Sequence, residues 1–207
     1  MCDSITWRRS VLRTLAAFGL AALSSELALG VSAAPIRIET GLLRGVPADD
    51  PTITVYKGVP YAAPPTGALR WKAPQPPLPW AGVRKADQFG ASCPQERSAQ
   101  AALTMSEDCL FLNVWTGAAS SSERRPVFVW IYGGGFIQGS SSNPEYNLTF
   151  IVDQSVKMGT PMIGVSLNYR LHCWGFLWSQ EVRDQGVANL GFRDQRMALH
   201  WIQESTS

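Results

Sequence analysis

The strongest constraint on the fold is an apolar strand pattern that runs directly into a glycine-rich turn. The stretch "VWIYGGGFIQGSS" (129–141) begins inside the apolar run 127–132, which is typical of a strand covered on both faces by helices. Gly133, Gly134 and Gly135 follow at once. Because glycine has no Cβ, their backbone N–H groups can line a cleft. The stretch therefore predicts an α/β fold with a backbone-lined turn at the end of a buried strand.

Three roles fit such a turn. Two N–H groups can bind the negative oxygen that forms when a nucleophile attacks an ester carbonyl. A phosphate cradle uses N–H groups in the same way, but the chain has neither Gly-Lys-Ser/Thr after these glycines nor G-x-G-x-x-G at the start of a helix. A tight turn with a purely structural role also fits the spacing. The local pattern alone favours the first role and leaves the third open.

The rest of the chain extends the α/β pattern. Residues 36–59 alternate short apolar runs with turn residues, which predicts antiparallel hairpin strands. The proline-rich segment 60–80 predicts an ordered surface segment; a disordered linker is the alternative, although its aromatic residues are unusual for one. Beyond it, we expect strands at 110–115, 127–132 and 161–170, and helices at 148–159 and 192–205. In the last helix five residues could share an inward face: Phe192, Ala198, Leu199, Trp201 and Ile202.

The first 33 residues have the features of a secretory signal peptide. Three arginines precede the apolar run 15–29, and Val31 and Ala33 fit the small residues before a cleavage site. The run is too short and too interrupted to span a bilayer comfortably, so we expect no stable membrane span. An amphipathic or anchoring N-terminal helix is the alternative. The signal peptide predicts a secreted protein.

Secretion places the cysteines in an oxidising compartment. Cys93 and Cys109 flank a polar, alanine-rich loop and are the natural pair; closing that loop stabilises the fold by roughly 3 kcal/mol. Cys173 lies among apolar residues, which predicts a buried, unreactive thiol. Asn147 begins an Asn-X-Thr sequon and is the expected glycosylation site.

Composition excludes some partners. Of the 207 residues, 45% are hydrophobic and 16% charged, which indicates a globular chain long enough for one core. The formal net charge is only +2 and the basic residues are scattered. Such a chain lacks the electrostatic footprint of a nucleic-acid-binding protein, so we expect no nucleic-acid partner.

Five stretches together resemble the type-B carboxylesterase/lipase family, the α/β-hydrolase group that also contains the cholinesterases. They occur in the order of the family and cover nearly all of residues 34–207: "YKGVPYAAPPTGALRWKAPQP" (56–76), "SEDCLFLNVW" (106–115), "VWIYGGGF" (129–136), "SLNYRLHCWGFL" (166–177) and "NLGFRDQRMALHWIQE" (189–204). The resemblance implies an α/β-hydrolase fold, in which a mostly parallel central sheet follows an antiparallel N-terminal hairpin region. It also implies a serine esterase acting on small-molecule or lipid carboxylic esters, without a metal or other cofactor.

The resemblance implies roles for individual residues as well. Gly134 and Gly135 would be two donors of an oxyanion hole, in a loop shaped by Gly133. Cys93 and Cys109 match the first disulfide of the family. Two ion pairs would be structural: Arg70 with Glu107, and Arg170 with Asp194. Such pairs orient loops more surely than they stabilise, because desolvation offsets the attraction.

The resemblance assigns no residue of this chain to the catalytic triad of the family. The 207 residues contain no G-x-S-x-G nucleophile elbow; the nearest stretch, 164–168, ends in Asn and falls in a predicted strand. His172 and His200 lie in blocks where the family has no catalytic histidine. We therefore expect residues 34–207 to be the N-terminal part of the domain, truncated before the elbow and with little activity alone. A non-catalytic adhesion protein of cholinesterase-like type and a decayed fragment are the alternatives, and the substrate ester and oligomeric state stay open.

Overall fold

The computed structural model describes residues 34–96, 104–118 and 124–205. The predicted signal peptide falls on residues 1–33 and lies outside the described residues. Within the described ranges the strands are β1 (Ile36–Ile38), β2 (Gly41–Arg44), β3 (Val46–Pro47), β4 (Thr54–Pro60), β5 (Val83–Lys85), β6 (Phe111–Thr116), β7 (Val127–Ile131) and β8 (Ile163–Leu167). The helices are α1 (Thr149–Lys157), α2 (His172–Phe176), α3 (Gln180–Asp184) and α4 (Leu190–Ser205).

The main sheet is mixed and has the strand order β3-β4-β6-β8-β7. Strands β3, β4, β6 and β8 pair antiparallel in turn, and β7 pairs parallel with β8. A smaller sheet has the order β1-β2-β5. Its β1–β2 hairpin and the β3–β4 pair confirm the antiparallel strands predicted for 36–59. Helix α1 connects the parallel strands β7 and β8, as a crossover between parallel strands requires.

β8 is the centre of the main sheet. It lies between β6 and β7, and all five of its residues are buried. Alternating side chains divide the core into two clusters. One contains Val165 and Leu167 with Ala198 of α4, and the other contains Trp115 with Val152 of α1. The sheet is therefore covered by a helix on each face, which is α/β packing.

β7 is a strand as predicted, but its expected burial on both faces is wrong. Val127 and Val129 pack against the first cluster, and Phe128 and Trp130 against the second, yet all four stay only half-buried. Ile131 is 37% exposed. The physical reason is position: β7 is the outer strand of the described sheet, so its free side faces solvent.

The helix predicted at 192–205 is α4, but its buried face differs from the prediction. Ala198 and Ile202 are buried and Trp201 is partly buried, as expected, whereas Phe192 and Leu199 are nearly half-exposed. The buried stripe follows a four-residue spacing: Leu190, Asp194, Ala198 and Ile202. A carboxylate occupies one position of that stripe, which an apolar pattern cannot reveal.

Two further features concern segments between the main elements. After β4, the proline-rich segment 60–80 carries one short turn of 3₁₀ helix, Gly67–Leu69, and it is anchored by the buried Tyr61, whose hydroxyl donates to the Asn168 carbonyl at 2.6 Å. Of the helices in the described ranges, none is both long and apolar enough to cross a bilayer.

Candidate functional site

The glycine loop, defined as residues 133–139, follows β7 at the carboxyl end of the strand. Gly134 has a φ of +127°, and a Cβ there would lie 2.1 Å from the Gln138 carbonyl oxygen, so only glycine fits. The loop closes on itself, because the N–H groups of Ile137 and Gln138 donate to the Gly134 carbonyl at 3.1 and 3.3 Å. This closed turn is the local structure that the glycine run produces.

The loop leaves backbone donors free at its outer side. Gly133, Gly134 and Gly135 are exposed. Among the described residues, no acceptor pairs with the N–H of Gly134 or Gly135. Two neighbouring N–H groups without partners can receive one anionic oxygen.

A pair of tyrosines fixes the start of the loop. Tyr132, the residue before Gly133, stacks on Tyr169 with ring centroids 4.8 Å apart. Both residues are buried. Burial raises the pKa of the Tyr132 hydroxyl far above its usual value, and burial also raises the pKa of Tyr169. Both phenols therefore stay protonated at neutral pH. Their stacking keeps the end of β7 beside the segment that follows β8.

Gln95 holds the other end of the loop, and nothing in the sequence pattern indicated it. Its side-chain oxygen accepts from the Gly139 N–H at 2.8 Å, and its side-chain nitrogen donates to the Gly139 carbonyl at 2.8 Å. The same nitrogen lies 3.1 Å from the Cys93 carbonyl. Cys93 and Cys109 are buried and form a disulfide. Gln95 thus connects the disulfide-bonded Cys93 to the glycine loop.

An aromatic cluster borders the glycines. Phe136 contacts the rings of Phe176 and Phe192 with centroids 4.8 and 5.4 Å apart, and Phe176 and Phe192 meet edge to face at 5.3 Å. The Phe136 carbonyl accepts from the His172 N–H at 2.9 Å. Phe136 and Phe192 remain 43% and 48% exposed. The three rings therefore form an accessible apolar surface, the aromatic wall, beside the backbone donors of the glycine loop. Phe192 is exposed on α4 because it belongs to this wall and not to the core.

The two ion pairs named above differ in burial. Arg70 binds Glu107 through two contacts of 2.6 and 2.7 Å on a partly exposed surface. Arg170 binds Asp194 through two contacts of 2.8 and 2.7 Å, with both side chains buried. Burial raises the pKa of the Asp194 carboxyl, and the hydrogen bonds and charge of Arg170 oppose that rise.

Arg170 also joins three segments near the glycine loop. Its backbone N–H donates to Asp194 at 3.1 Å, and its guanidinium donates to the Lys72 carbonyl at 2.8 Å. It thereby ties the segment after β8 to α4 and to the proline-rich segment. The pair of Arg170 and Asp194 therefore fixes the position of α4, the helix that contributes Phe192 to the aromatic wall.

The serine of the stretch 164–168 and the two histidines do not form a nucleophile–base pair. Ser166, the serine of the stretch 164–168, is fully buried and accepts from the Asn113 side chain at 3.1 Å. His200 is exposed on α4, and His172 begins α2 with a φ of +50°. Neither arrangement is that of an exposed nucleophile beside a base. In the described part of the chain, no three His, Cys, Asp or Glu side chains come together as ligands for a metal ion.

The prediction that Cys173 is buried is wrong. Its thiol is free and exposed. In the short helix α2 it is Gly175 that packs inward, with the Arg170 carbonyl 2.1 Å from where a Cβ would stand. Cys173 lies on another side of the same turn, so its apolar neighbours along the chain do not cover it.

Comparison with known proteins decides the family. The model of the Carboxylesterase family matches residues 32–207. The chain belongs to the carboxylesterase family. A para-nitrobenzyl esterase from Bacillus subtilis (strain 168) is 40% identical over 157 residues, covering 73% of this chain and 31% of the relative. A fumonisin B1 esterase from Sphingopyxis macrogoltabida is 33% identical over 205 residues, covering 90% of this chain and 36% of the relative.

Solved structures agree on the α/β-hydrolase fold of this carboxylesterase-family chain. A structure described as a thermophilic PNB esterase superposes with a TM-score of 0.74 at 35% identity, covering 83% of this chain and 35% of that one. The chain therefore spans roughly a third of the length of the curated relatives it matches.

Proposed function

We propose that this chain provides the oxyanion-binding part of a secreted, serine-type carboxylic ester hydrolase. The observation that carries the proposal is the pair of free N–H groups at Gly134 and Gly135, at the end of β7 in a chain of this family. Gly133 shapes the turn that presents them. Removing one such oxyanion donor from a hydrolase lowers the rate about 10²–10³-fold.

In the proposed reaction a serine hydroxyl attacks the ester carbonyl and the carbonyl oxygen becomes negative. The Gly134 and Gly135 N–H groups bind that oxygen while the alcohol leaves and an acyl-enzyme forms, and water then releases the acid. Because the 207 residues contain no G-x-S-x-G motif, we assign the serine, acid and histidine to sequence other than this chain. The chain by itself is then expected to be nearly inactive.

The substrate class follows from the surface beside the donors. The aromatic wall of Phe136, Phe176 and Phe192 suits the hydrocarbon part of a small-molecule or lipid ester. Two of the relatives are named for different esters, as para-nitrobenzyl esterase and fumonisin B1 esterase. The wall therefore supports an apolar ester without selecting one.

Activity measurements test this function. We expect the purified 207-residue chain to hydrolyse p-nitrophenyl butyrate no faster than buffer, and the product of the complete gene to hydrolyse it. Turnover by the chain alone would contradict the assignment of the triad to other sequence. Reading the coding sequence for G-x-S-x-G discriminates further, because an elbow without serine would support a binding protein and degraded sequence would support a decayed fragment.

Secretion and glycosylation are part of the same proposal. Asn147 is exposed, and its side-chain oxygen accepts from the backbone and hydroxyl of Thr149 at 3.0 and 2.7 Å. A disulfide between Cys93 and Cys109 suits an oxidising compartment. Expression in a secreting eukaryotic host should yield protein that begins at residue 34 and loses mass with a glycosidase, and N147Q should abolish that loss. Retention of residues 1–33 on the secreted protein would contradict the signal peptide.

A further inference from the structure

We infer that Gln95 is the positioning residue of the glycine loop, and that through it the Cys93–Cys109 disulfide governs how rigidly Gly134 and Gly135 are held. The catalytic consequence rests on the proposed function, whereas the mechanical part does not. Gln95 lies in a loop far along the chain from the residue it binds, yet it contacts both polar atoms of one peptide residue.

The first argument is chemical. A primary amide offers an acceptor oxygen and a donor nitrogen side by side, which matches the N–H and carbonyl of Gly139. Both contacts are 2.8 Å long. A carboxylate at this position could accept but not donate, and an aliphatic side chain could do neither. Gln95 is therefore matched to both ends of the Gly139 peptide residue.

The second argument is steric. A Cβ at Gly139 would lie 2.3 Å from the ring of Tyr132, so Gly139 sits directly against the residue that starts the loop. With Gly139 held by Gln95 and Tyr132 held by Tyr169, both ends of the loop are fixed. The internal bonds from Ile137 and Gln138 to the Gly134 carbonyl then set where Gly134 stands.

The third argument connects the loop to the disulfide. Gln95 is two residues from Cys93 and donates to its carbonyl at 3.1 Å. Cys93 is cross-linked to Cys109, which directly precedes the fully buried Leu110 beside β6. The chain of contacts thus runs from the core through the disulfide and Gln95 to Gly139. Breaking the disulfide removes the anchor of Gln95 and not any contact of the loop itself.

The test measures amide hydrogen exchange by NMR in the 207-residue chain. We expect Q95L to speed exchange at Ile137 and Gln138 on the order of tenfold, although Gln95 touches neither amide, because two hydrogen bonds that fix the loop are lost. Q95E retains the acceptor for the Gly139 N–H and should fall between wild type and Q95L. Q75L is the matched control, since the Gln75 side chain donates only to the nearby Ala73 carbonyl.

Exchange at β8 in the same samples reports global unfolding. Unchanged β8 exchange with faster exchange at Ile137 and Gln138 supports the inference. Unchanged exchange at those two amides in Q95L overturns it, as does acceleration of all amides together, because then Gln95 contributes only to overall stability.

Reduction tests the link to the disulfide. Dithiothreitol converts the Cys93–Cys109 bond to two thiols and is itself oxidised to its cyclic disulfide. Reduction should speed exchange at Ile137 and Gln138 in wild type and add little in Q95L, because the connection is already cut. An equal further acceleration in Q95L would overturn the role of Gln95 as the connection.

A catalytic measurement separates this inference from the proposed function. In the product of the complete gene, Q95L should lower kcat for p-nitrophenyl butyrate on the order of tenfold with little change in KM, and Q95E should restore part of the loss. If the complete product does not hydrolyse esters, the proposed function fails, while the exchange results still decide whether Gln95 positions the loop. Unchanged kcat in an active Q95L enzyme would overturn the catalytic consequence.

Discussion

The rings of Tyr132 and Tyr169 stack, and each hydroxyl faces the backbone carbonyl of the other residue, at 3.4 and 3.3 Å. Tyr132 directly follows β7 and Tyr169 lies two residues after β8, so this reciprocal pair joins the carboxyl ends of the two parallel strands. The glycine loop begins directly after it. The pair therefore makes the position of the loop depend on protonated, buried phenols.

Alkaline pH should destabilise the fold. Burial raises the pKa of four tyrosines above that of an exposed tyrosine: Tyr56, Tyr61, Tyr132 and Tyr169. In the unfolded chain these groups lose their protons near pH 10, so above that pH the unfolded state binds fewer protons than the folded state. Their contribution is complete below about pH 10 and is lost as the pH rises further.

Urea unfolding at about pH 8 and about pH 11 measures this effect, with phenolate absorbance followed in parallel. The free energy of unfolding should fall, and phenolate absorbance should appear together with unfolding. Titration of all tyrosines near pH 10 in a chain that stays folded would show that the phenols are not buried as described.

G134A should disrupt the glycine loop. The φ of +127° is strained for alanine, and its Cβ would meet the Gln138 carbonyl oxygen. G186A is the matched control, because Gly186 also has a positive φ but open space around a Cβ. We expect G134A to cost about 3 kcal/mol and G186A about 1 kcal/mol in urea unfolding. Equal costs would mean that the loop adjusts to a side chain at position 134.

The two ion pairs should respond very differently to removal of one partner. D194A leaves the buried Arg170 without its counter-charge and should lower the free energy of unfolding by about 3–5 kcal/mol. E107A exposes Arg70 to water that already screens it, so its urea midpoint should stay close to wild type. R170K should fall near D194A, because lysine cannot form the paired contacts. A D194A midpoint near that of E107A would contradict the burial of the pair.

The Cys173 thiol should react with a maleimide in the folded state. In protein that begins at residue 34, and so lacks Cys2, peptide mapping after brief labelling should place the label on Cys173, and C173S should remove it. The disulfide cysteines Cys93 and Cys109 should stay unlabelled until a reductant is added. A Cys173 that reacts only in urea would restore the buried position expected from its neighbours.

How far the sequence predicts this molecule depends on whether a feature is periodic. The strands β7 and β8 follow from two apolar runs, and the turn at Gly134 follows from the glycines after the first of them; the structure has all three at those positions. The prediction for Leu199 is wrong because this residue, one position after Ala198, points about a quarter-turn away from the buried stripe of α4. The prediction for Cys173 is wrong for the same reason: within the single turn of α2 it is Gly175 that faces inward, and Cys173 points elsewhere.

Contacts between distant segments lie beyond such patterns. Gln95 looks like any polar loop residue, and its bond to Gly139 joins two residues that are 44 positions apart in the chain. The pair of Arg170 and Asp194 came only from the resemblance to a family, because a carboxylate in a buried stripe contradicts the rule that buried positions are apolar.

The strand order also has a consequence for the chain as it leaves the ribosome. β7 emerges before β8, yet in the described sheet β8 is the strand it pairs with, and β8 sits between β7 and β6. During synthesis, β7 therefore has no partner strand of the described sheet until Ile163–Leu167 has been synthesised. The hairpin of β3 and β4 can form at once. The segment with the strongest functional signature therefore joins the described sheet only after β3, β4, β6 and β8 have all been synthesised.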